Sequence, residues 1–178
     1  MKGDKAMDEI MRRRSIRKFQ ARDVEPEKIE RILRAAMQAP SGHNAQEWEF
    51  LVIRDAETRQ KIAAASVETS AAKNAPVVIV LLVNRDKTGE ATGIGAPMIW
   101  TADMGAAAQT VLIQAEAEGL GGVWLSCWPY EHKVAYLREL FSLPAHILPY
   151  AVIPVGYKEK EKPFDDRWDP AKVHWETY

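Results

Sequence analysis

The segment that most constrains the fold is an uninterrupted apolar run from Pro76 to Val83. It reads Pro-Val-Val-Ile-Val-Leu-Leu-Val and is rich in β-branched residues. A short run of this kind is typical of a β-strand that is buried on both of its faces. It is also far shorter than the roughly 20 apolar residues that cross a bilayer. We therefore expect a buried strand and no transmembrane segment.

Helical and strand patterns surround this run and predict a single α+β domain over residues 1–178, with helices over a sheet of about five strands. Pro26 sets the start of one helix, Pro40 stops it, and Asp55 is a candidate N-cap for the next helix. The predicted helices are Ala6–Arg13, Pro26 to the residues before Pro40, Ala56–Ala65, Ile99–Glu118 and Glu131–Phe141. The other predicted strands are Trp48–Ile53, Val123–Ser126 and Tyr150–Val155. The segment from Asn84 to Pro97 has no periodicity and is predicted to be a loop that could act as a lid.

Composition excludes several classes of function. The 178 residues are 47% hydrophobic, so the chain can bury a core without disulfides or a structural metal. Its 24 basic and 25 acidic residues nearly cancel, so neither nucleic acid nor an anionic membrane is an expected partner. The chain has one cysteine and no leader pattern in Met1–Ile10, which favours a cytoplasmic location. The four histidines lack metal-ligand spacing, and no metal site is expected.

A cluster of basic residues, Arg13-Arg14-Ser15-Ile16-Arg17, follows the first predicted helix. The guanidinium fork matches phosphate oxygens in pairs, and Ser15 adds a hydroxyl donor. The same cluster also fits a solvated helix end, where arginines favour the negative pole of the helix dipole. Spacing alone does not decide between these two interpretations.

A second polar motif runs from Pro40 to Trp48. Ser41, Asn44 and Gln46 offer both donors and acceptors, and Gly42 permits close approach of the backbone to a flat ring. Polyol hydroxyls or a heterocycle edge would suit these groups, but an ordinary turn uses the same residues. Both interpretations stay open at this stage.

The glycine-rich segment Gly119–Gly122 follows a helix and precedes a strand, which is the reverse of the dinucleotide-binding fingerprint. We expect a helix C-cap whose following strand could pass its amides along a ligand. Cys127 lies between Trp124 and Trp128 and is expected to be a buried small side chain rather than a nucleophile. The sequence contains no serine-nucleophile elbow and no prominent acid pair.

Taken in order, these motifs resemble the nitroreductase family of FMN-dependent flavoproteins. The resemblance covers nearly the whole chain, and five motifs in order are much harder to produce by chance than one. The motifs are Arg13–Arg17, Pro40–Trp48, Asp103–Ala107 in a long helix, Gly119–Trp124, and Ile153–Tyr157 before a basic tail. One departure is Glu47, which stands where many relatives have proline before the tryptophan.

The resemblance implies a three-layer α-β-α sandwich with a central mixed, mainly antiparallel sheet, in an intertwined homodimer with two FMN sites at its interface. It places Arg17 near the pyrimidine side of the flavin, where this residue would be the catalytic cation, and has the tail 158–178 docking on the partner subunit. The implied phosphate and ribityl ligands are Arg13, Arg14, Ser15 and the late residue Arg167. The implied contacts from the partner subunit are Pro40, Ser41, Gly42 and Asn44, and the implied contacts near the ring are Gly122, Trp124, Leu125 and Ser126.

The implied activity is transfer of hydride from NADH or NADPH through flavin N5 to an electron-poor acceptor, such as a nitroaromatic or a quinone, by a ping-pong mechanism. Within the same fold, a reductive dehalogenase and a flavin-destroying enzyme are alternatives. A flavin-binding module without catalysis is a third alternative. A structural protein whose arginine patch docks an acidic partner is a fourth.

Overall fold

The structure is a computed structural model and describes residues 5–88 and 96–178. The helices are α1 (Lys5–Arg12), α2 (Pro26–Ala36), α3 (Ala56–Ala63), α4 (Ala96–Ala117) and α5 (Glu131–Leu140). The strands are β1 (Trp48–Ile53), β2 (Val77–Asn84), β3 (Gly121–Gly122), β4 (Leu125–Ser126) and β5 (Ile147–Gly156). Short 3₁₀ segments lie at Gly42–Asn44, Glu68–Asn74, Arg85–Lys87 and Pro170–Lys172.

The five strands form one sheet in the order β1-β2-β5-β3, and β4 also pairs with β5. The central pair, β2 and β5, is antiparallel from Val77 opposite Val155 to Asn84 opposite Ile147. The other strand pairings are antiparallel too, and a single parallel bridge joins Ser15 to Gly122 in the part of the chain that is described. The prediction of a mainly antiparallel sheet is confirmed.

Strand β2 is buried on both faces, as its apolar run predicts. Alternate side chains point to opposite faces of a strand. Val77, Ile79, Leu81 and Val83 pack with α2 and α4 in one core. The intervening residues, Val78, Val80 and Leu82, pack with α3, α5 and the Glu68–Asn74 segment in a second core. The sheet is therefore the middle layer of three, which confirms the predicted sandwich.

The predicted strand Val123–Ser126 is wrong in its boundaries. The pairing residues are Gly121–Gly122, opposite Gly156 and Val155, and then Leu125–Ser126, opposite Val152 and Ala151. A side chain at Gly122 would place its Cβ 2.9 Å from the carbonyl oxygen of Pro154. Glycine is therefore required for this close approach within the sheet, whereas its sequence pattern indicated only a turn.

Strand β5 is longer than the predicted Tyr150–Val155 and includes Pro149. The pairing register with β2 shifts between Leu81 and Leu82, where Leu82 lies opposite Pro149. Proline has no N–H to donate to a ladder, and a local irregularity allows the strand to continue past it.

The helix start and stop signals agree with the structure at three places. Helix α2 begins at Pro26, the Asp55 carboxylate accepts the Thr58 backbone N–H at 2.7 Å, and Gly119 has a φ of 73°. Helix α4 begins at Ala96, so the prediction that the loop continues to Pro97 is wrong at that end. Residues 89–95 of the predicted lid lie outside the described residues.

Candidate functional site

The arginine segment is anchored beside the glycines of β3. The Ile16 N–H donates to the Gly122 carbonyl at 2.9 Å, and the Ile16 side chain is only 3% exposed. Because Ile16 is fixed inside, its neighbours Ser15 and Arg17 lie at the surface of the same edge of the sheet. Two motifs that are distant in the sequence, the arginine cluster and the glycine segment, are thus brought together.

A cavity of about 440 Å³ opens next to this anchor. Its lining includes Arg17, Trp124, Leu125 and Ser126, which the sequence motifs single out as site residues. The volume falls within the range of small-ligand sites. The Arg17 side chain is exposed and makes no hydrogen bond or ion pair with a described residue. A free cation and an apolar wall therefore meet in one cavity.

The same cavity has a second wall that sequence reasoning missed, formed by Glu68, Tyr130, His132 and Lys133. Lys133 is 4% exposed; its ammonium group donates to the Ser126 carbonyl at 3.3 Å and lies 3.3 Å from Glu68. Hydrogen bonds from Ser66 and from the backbone, together with Lys133, lower the pKa of Glu68 to about 2. No sequence signal separates Lys133 from the solvated lysines, because its burial depends on packing between α5 and the Glu68–Asn74 segment.

Trp124 carries an unpaired donor at this wall. Its indole Nε1 is buried and has no hydrogen-bond partner among the described residues. Its ring packs against Tyr150 at a centroid distance of 5.7 Å. Buried polar atoms are rarely left unpaired in folded proteins, so this donor marks the wall as one where a ligand or partner could complete the packing.

A second cleft, of about 350 Å³, lies where the arginine cluster meets the tail, and its charged lining residues are Arg13, Arg14, Arg167, Asp165 and Asp166. The Arg13 side chain makes no hydrogen bond or ion pair with the residues that the structure describes. Burial, then Arg167 and Arg14, lower the pKa of Arg13, while Glu116 acts in the opposite direction. Converging guanidinium groups repel one another unless an anion lies between them. Arg13 therefore offers unpaired donors that fit a phosphate group, whereas Arg167 in the same cleft also donates to Asp165 at 3.1 Å.

Arg14 differs from Arg13 in how its donors are used. Its guanidinium group donates to the backbone carbonyls of Met11, Arg13 and Pro163 at 2.8–3.1 Å, and to that of Asp165 at 3.4 Å. It also lies 5.7 Å from the centre of the Phe164 ring. Arg14 thus ties the tail to the arginine segment. Its predicted role as a phosphate ligand stays a prediction.

The tail has a docked beginning and an exposed remainder. The Lys162 ammonium donates to the Ser15 carbonyl at 2.6 Å. Lys158 pairs with Glu116 at 2.6 Å, and the side chains of Lys158 and Glu116 are each under 10% exposed.

Further along the tail, large aromatic side chains are exposed: Phe164 at 57%, Trp168 at 71% and Trp175 at 81%. Exposed aromatic groups on a single chain are typical of an interface with a partner. Arg167, which donates to Asp165 at 3.1 Å, lies within this exposed part.

The loop 40–46 is built around its own hydrogen bonds. The Ser41 hydroxyl accepts the Gln46 N–H at 3.1 Å, and the Asn44 side-chain oxygen accepts from the Gln46 amide at 2.9 Å. His43, Asn44 and Gln46 have φ values of 54°, 58° and 49°. Non-glycine residues in this left-handed region cost on the order of 1–3 kcal/mol each and are concentrated at functional sites.

The predicted residues of this loop, Pro40, Ser41, Gly42 and Asn44, line neither of the two cavities described above. Within one chain the loop is therefore separate from Arg17 and Arg13. Its predicted place in the partner subunit's site stays a prediction.

The described residues contain neither a membrane-spanning helix nor a cluster of metal-ligating side chains. No helix in the described ranges is long and apolar enough to cross a membrane. Residues 5–88 and 96–178 also contain no group of three or more His, Cys, Asp or Glu side chains placed to hold a metal ion.

Comparison with known proteins identifies the family. The family model described as "Nitroreductase family" matches residues 10–74 and 67–157. A Methanothermobacter thermautotrophicus protein, provisionally named an NADH dehydrogenase/NAD(P)H nitroreductase, is 38% identical over 97% of this chain and 87% of its own length.

Two solved structures have the same fold. A Clostridium acetobutylicum protein, provisionally named an NADH oxidase, is 44% identical with a TM-score of 0.90, over 96% of this chain and all of its own. An FMN-dependent nitroreductase from Clostridium difficile is 29% identical with a TM-score of 0.86, over 97% of this chain and 99% of its own. The chain belongs to the nitroreductase family.

Proposed function

We propose that this protein is an FMN-dependent oxidoreductase that takes hydride from NADH or NADPH and reduces an electron-poor acceptor, such as a nitroaromatic or a quinone, by a ping-pong mechanism. The observation that carries the proposal is the unpaired Arg13 beside Arg167, on the same short segment as Arg17, which lines the 440 Å³ cavity. The name of the Clostridium difficile relative supports FMN, and that of the Methanothermobacter relative supports NAD(P)H. When bound, FMN supplies the chemistry, because its N5 accepts a hydride from one substrate and gives it to the next.

Arg13 and Arg167 would hold the dianionic phosphate. Their guanidinium groups converge on one cleft with no carboxylate paired to Arg13 in the described residues. Charge-assisted hydrogen bonds to phosphate are about twice as strong as neutral ones. Ser15, half-buried next to the Ile16 anchor, would add a hydroxyl donor toward the ribityl chain.

Arg17 would stabilise the negative charge that develops on the pyrimidine side of the ring. It lines the 440 Å³ cavity with Trp124 and Ser126 and forms no ion pair with a described carboxylate; Glu68, in the same cavity, pairs with Lys133. A positive group that is already fixed before the reaction lowers the energy of a charge that appears during it. Arg17 is therefore the residue we expect to affect the rate of hydride uptake.

Neither the nucleotide nor the acceptor needs a nucleophile from the protein. Cys127, in the strand region beside the cavity, is fully buried, and its burial raises the pKa of the thiol to about 12. A thiol of this kind stays protonated and unreactive at neutral pH. The nucleotide and the acceptor would occupy the same cavity one after the other, and this alternation accounts for a ping-pong mechanism.

A homodimer would complete the site. The loop 40–46 lies away from Arg17 in its own chain, and the aromatic side chains Trp168 and Trp175 are exposed on the tail. Both features are accounted for if the loop and the tail of one protomer pack on its partner.

The test begins with the absorbance spectrum of the purified protein, which is expected to show oxidised flavin. Under anaerobic conditions, NADH or NADPH should bleach the flavin, and a nitroaromatic or a quinone should restore the colour. Initial rates at several acceptor concentrations should give parallel double-reciprocal lines. Arg13→Ala should weaken FMN binding by about 10- to 100-fold, the loss expected for a hydrogen-bonded charge. Arg34→Ala, an exposed arginine that pairs with Glu30 on α2, is the matched control.

Other outcomes would select the alternatives. Yellow protein that excess NADH and NADPH do not bleach would indicate a flavin-binding module without catalysis. Colourless protein without FMN affinity would favour an arginine patch that docks an acidic partner. Preferential turnover of a halophenol would indicate a dehalogenase, and oxygen-dependent loss of the flavin itself would indicate a flavin-destroying enzyme.

A further inference from the structure

Two buried carboxyl groups meet beneath the loop 40–46. Glu47, the residue just before β1, is 1% exposed, and Asp103 on α4 is 9% exposed. No donor among the described residues reaches the Glu47 Oε2 atom. The Glu47 carboxyl is within hydrogen-bonding reach of the Asp103 carboxyl. The two acids therefore form a contact that the sequence, in which they are 56 positions apart, does not reveal.

A contact of this kind requires a proton. Two carboxylates in a buried contact repel strongly, and one proton between them replaces the repulsion with a hydrogen bond. Burial raises the pKa of Glu47, a hydrogen bond from its own backbone lowers it, and the hydrogen bond and charge of Asp103 raise it, so the net direction is upward. No other charged group in the described ranges acts on this carboxyl; β2 contributes only the Asn84 N–H, which donates to the Glu47 backbone carbonyl at 2.8 Å.

The pair is connected to the loop at both of its ends. The Gly42 N–H donates to Asp103 Oδ2 at 2.9 Å, and Glu47 is the residue at which the loop enters β1. The fit at Gly42 is tight, because a Cβ there would lie 2.5 Å from Ile99 Cγ2 on α4. The intervening residues include His43, Asn44 and Gln46 in left-handed conformations. Such a loop keeps its shape only where its surroundings fix it.

We propose that Glu47 and Asp103 share one proton and act together as positioning residues, which hold the loop 40–46 in the conformation that binds FMN. This inference rests on the proposed function, in which the loop contacts the cofactor. Neither acid lines the cavity that contains Arg17. Each acts through the backbone of the loop, Asp103 by accepting the Gly42 N–H and Glu47 by fixing Asp103.

The direction of the pH dependence follows from the raised pKa. An acid whose pKa is higher in the folded form stabilises that form at low pH, and this contribution is lost as the pH rises through the folded pKa. Above that pKa the pair carries two negative charges, which repel each other and release Asp103 from its fixed position. FMN affinity should then fall by up to about tenfold per pH unit, the limit for a single linked proton.

The experiment measures FMN dissociation constants by flavin fluorescence across a pH series for the wild type and Glu47→Gln. Glutamine keeps a donor toward Asp103 but has no proton to lose. The variant should bind FMN about as tightly as the wild type at low pH, and more tightly at high pH. Glu49→Gln is the matched control, since Glu49 is a neighbouring acid on β1 that accepts from Asn84 at 2.7 Å. Its pH profile should follow that of the wild type.

A second measurement does not depend on FMN. The infrared spectrum of the flavin-free protein should contain the carbonyl stretch of a protonated carboxyl group at neutral pH, and Glu47→Gln should remove it. Asp103→Asn should also weaken the pH dependence, because its amide can donate to an ionised Glu47. Absence of the band, or a Glu47→Gln profile parallel to that of the wild type, would overturn the inference. If the wild type binds no FMN, the proposed function fails, and the infrared band alone decides whether the pair shares a proton.

Discussion

A methyl group added at Gly121 tests how the arginine segment is held. A Cβ at this position would lie 2.5 Å from Ile16 Cγ1 and 2.9 Å from Ile16 Cβ. Carbon atoms in contact prefer about 3.5–4.0 Å, so Gly121→Ala requires Ile16 to move by about 1 Å. Rotation of the Ile16 side chain would move Cγ1 away from the added carbon but would leave Ile16 Cβ in place, and this atom is also too close.

The expected cost has two parts. Overpacking a core position typically destabilises a protein by about 1–3 kcal/mol. Displacement of Ile16 also strains its 2.9 Å hydrogen bond to the Gly122 carbonyl, and loss of such a bond would add about 0.5–1.5 kcal/mol. Because Ser15 and Arg17 flank Ile16, FMN affinity should fall together with stability.

The assay is urea unfolding of the flavin-free protein at a fixed protein concentration, combined with an FMN titration. The matched control is Gly105→Ala, since a Cβ there lies 3.6 Å from both Trp124 Cη2 and Tyr150 Oη, which is an ordinary contact. That variant should be unchanged or more stable by up to about 1 kcal/mol, because glycine is unfavourable inside a helix.

Equal free energies of unfolding and equal FMN affinities for the two glycine variants would refute this reasoning. A double variant provides a further check. Ile16→Ala removes the Cγ1 atom that lies 2.5 Å from the added carbon. The cost of Ile16→Ala with Gly121→Ala should therefore be smaller than the sum of the two single costs.

Three further predictions concern other parts of the molecule. In stopped-flow measurements, Arg17→Ala should reduce the rate at which NAD(P)H reduces the flavin by about 10- to 100-fold, the loss expected for a charge-assisted contact. An equal loss of FMN affinity would contradict the role of Arg17. Lys158→Met should destabilise the protein by about 3–5 kcal/mol in urea, because it leaves the buried Glu116 carboxylate unpaired, and adding Glu116→Leu should recover part of this loss. Cys127, whose thiol pKa is raised to about 12, should react with a thiol reagent at pH 8 only after unfolding; rapid labelling of the folded protein would show that it is accessible.

The elements that sequence patterns predicted well are those whose burial is decided locally. The run Val77–Val83 is buried on both faces because every position in it is apolar, so no choice of face had to be made. The start of α2 at Pro26 and the cap at Asp55 follow from backbone chemistry within a few residues. The family resemblance likewise depended on motifs that are short and continuous.

The predictions that failed depended on contacts between distant segments. The boundary of β3 is set by the approach of Gly122 to the Pro154 carbonyl, and β5 passes through Pro149 because β2 accommodates a register shift. The local sequence around Gly122 does not show that Pro154 lies against it, and the local sequence around Pro149 does not show the register shift in β2.

Residues of the same type also acquired different surroundings. Arg13 and Arg14 are adjacent, yet the donors of Arg14 are taken by backbone carbonyls that include those of the tail, whereas Arg13 has no such partner in the described chain. Lys133 is buried although most lysines are exposed. These differences arise from the direction in which each side chain leaves the folded backbone.

By itself, the sequence determined the order and type of most elements and indicated the family, and it predicted residues at which a phosphate and a flat ring could be bound. Only the tertiary structure decided which of those residues meet in one cavity, which arginine stays free to bind an anion, and that Glu47 faces Asp103. The physical reason is that periodicity records whether a residue is buried, while the partner that compensates a buried charge is chosen by the three-dimensional packing of segments far apart in the chain.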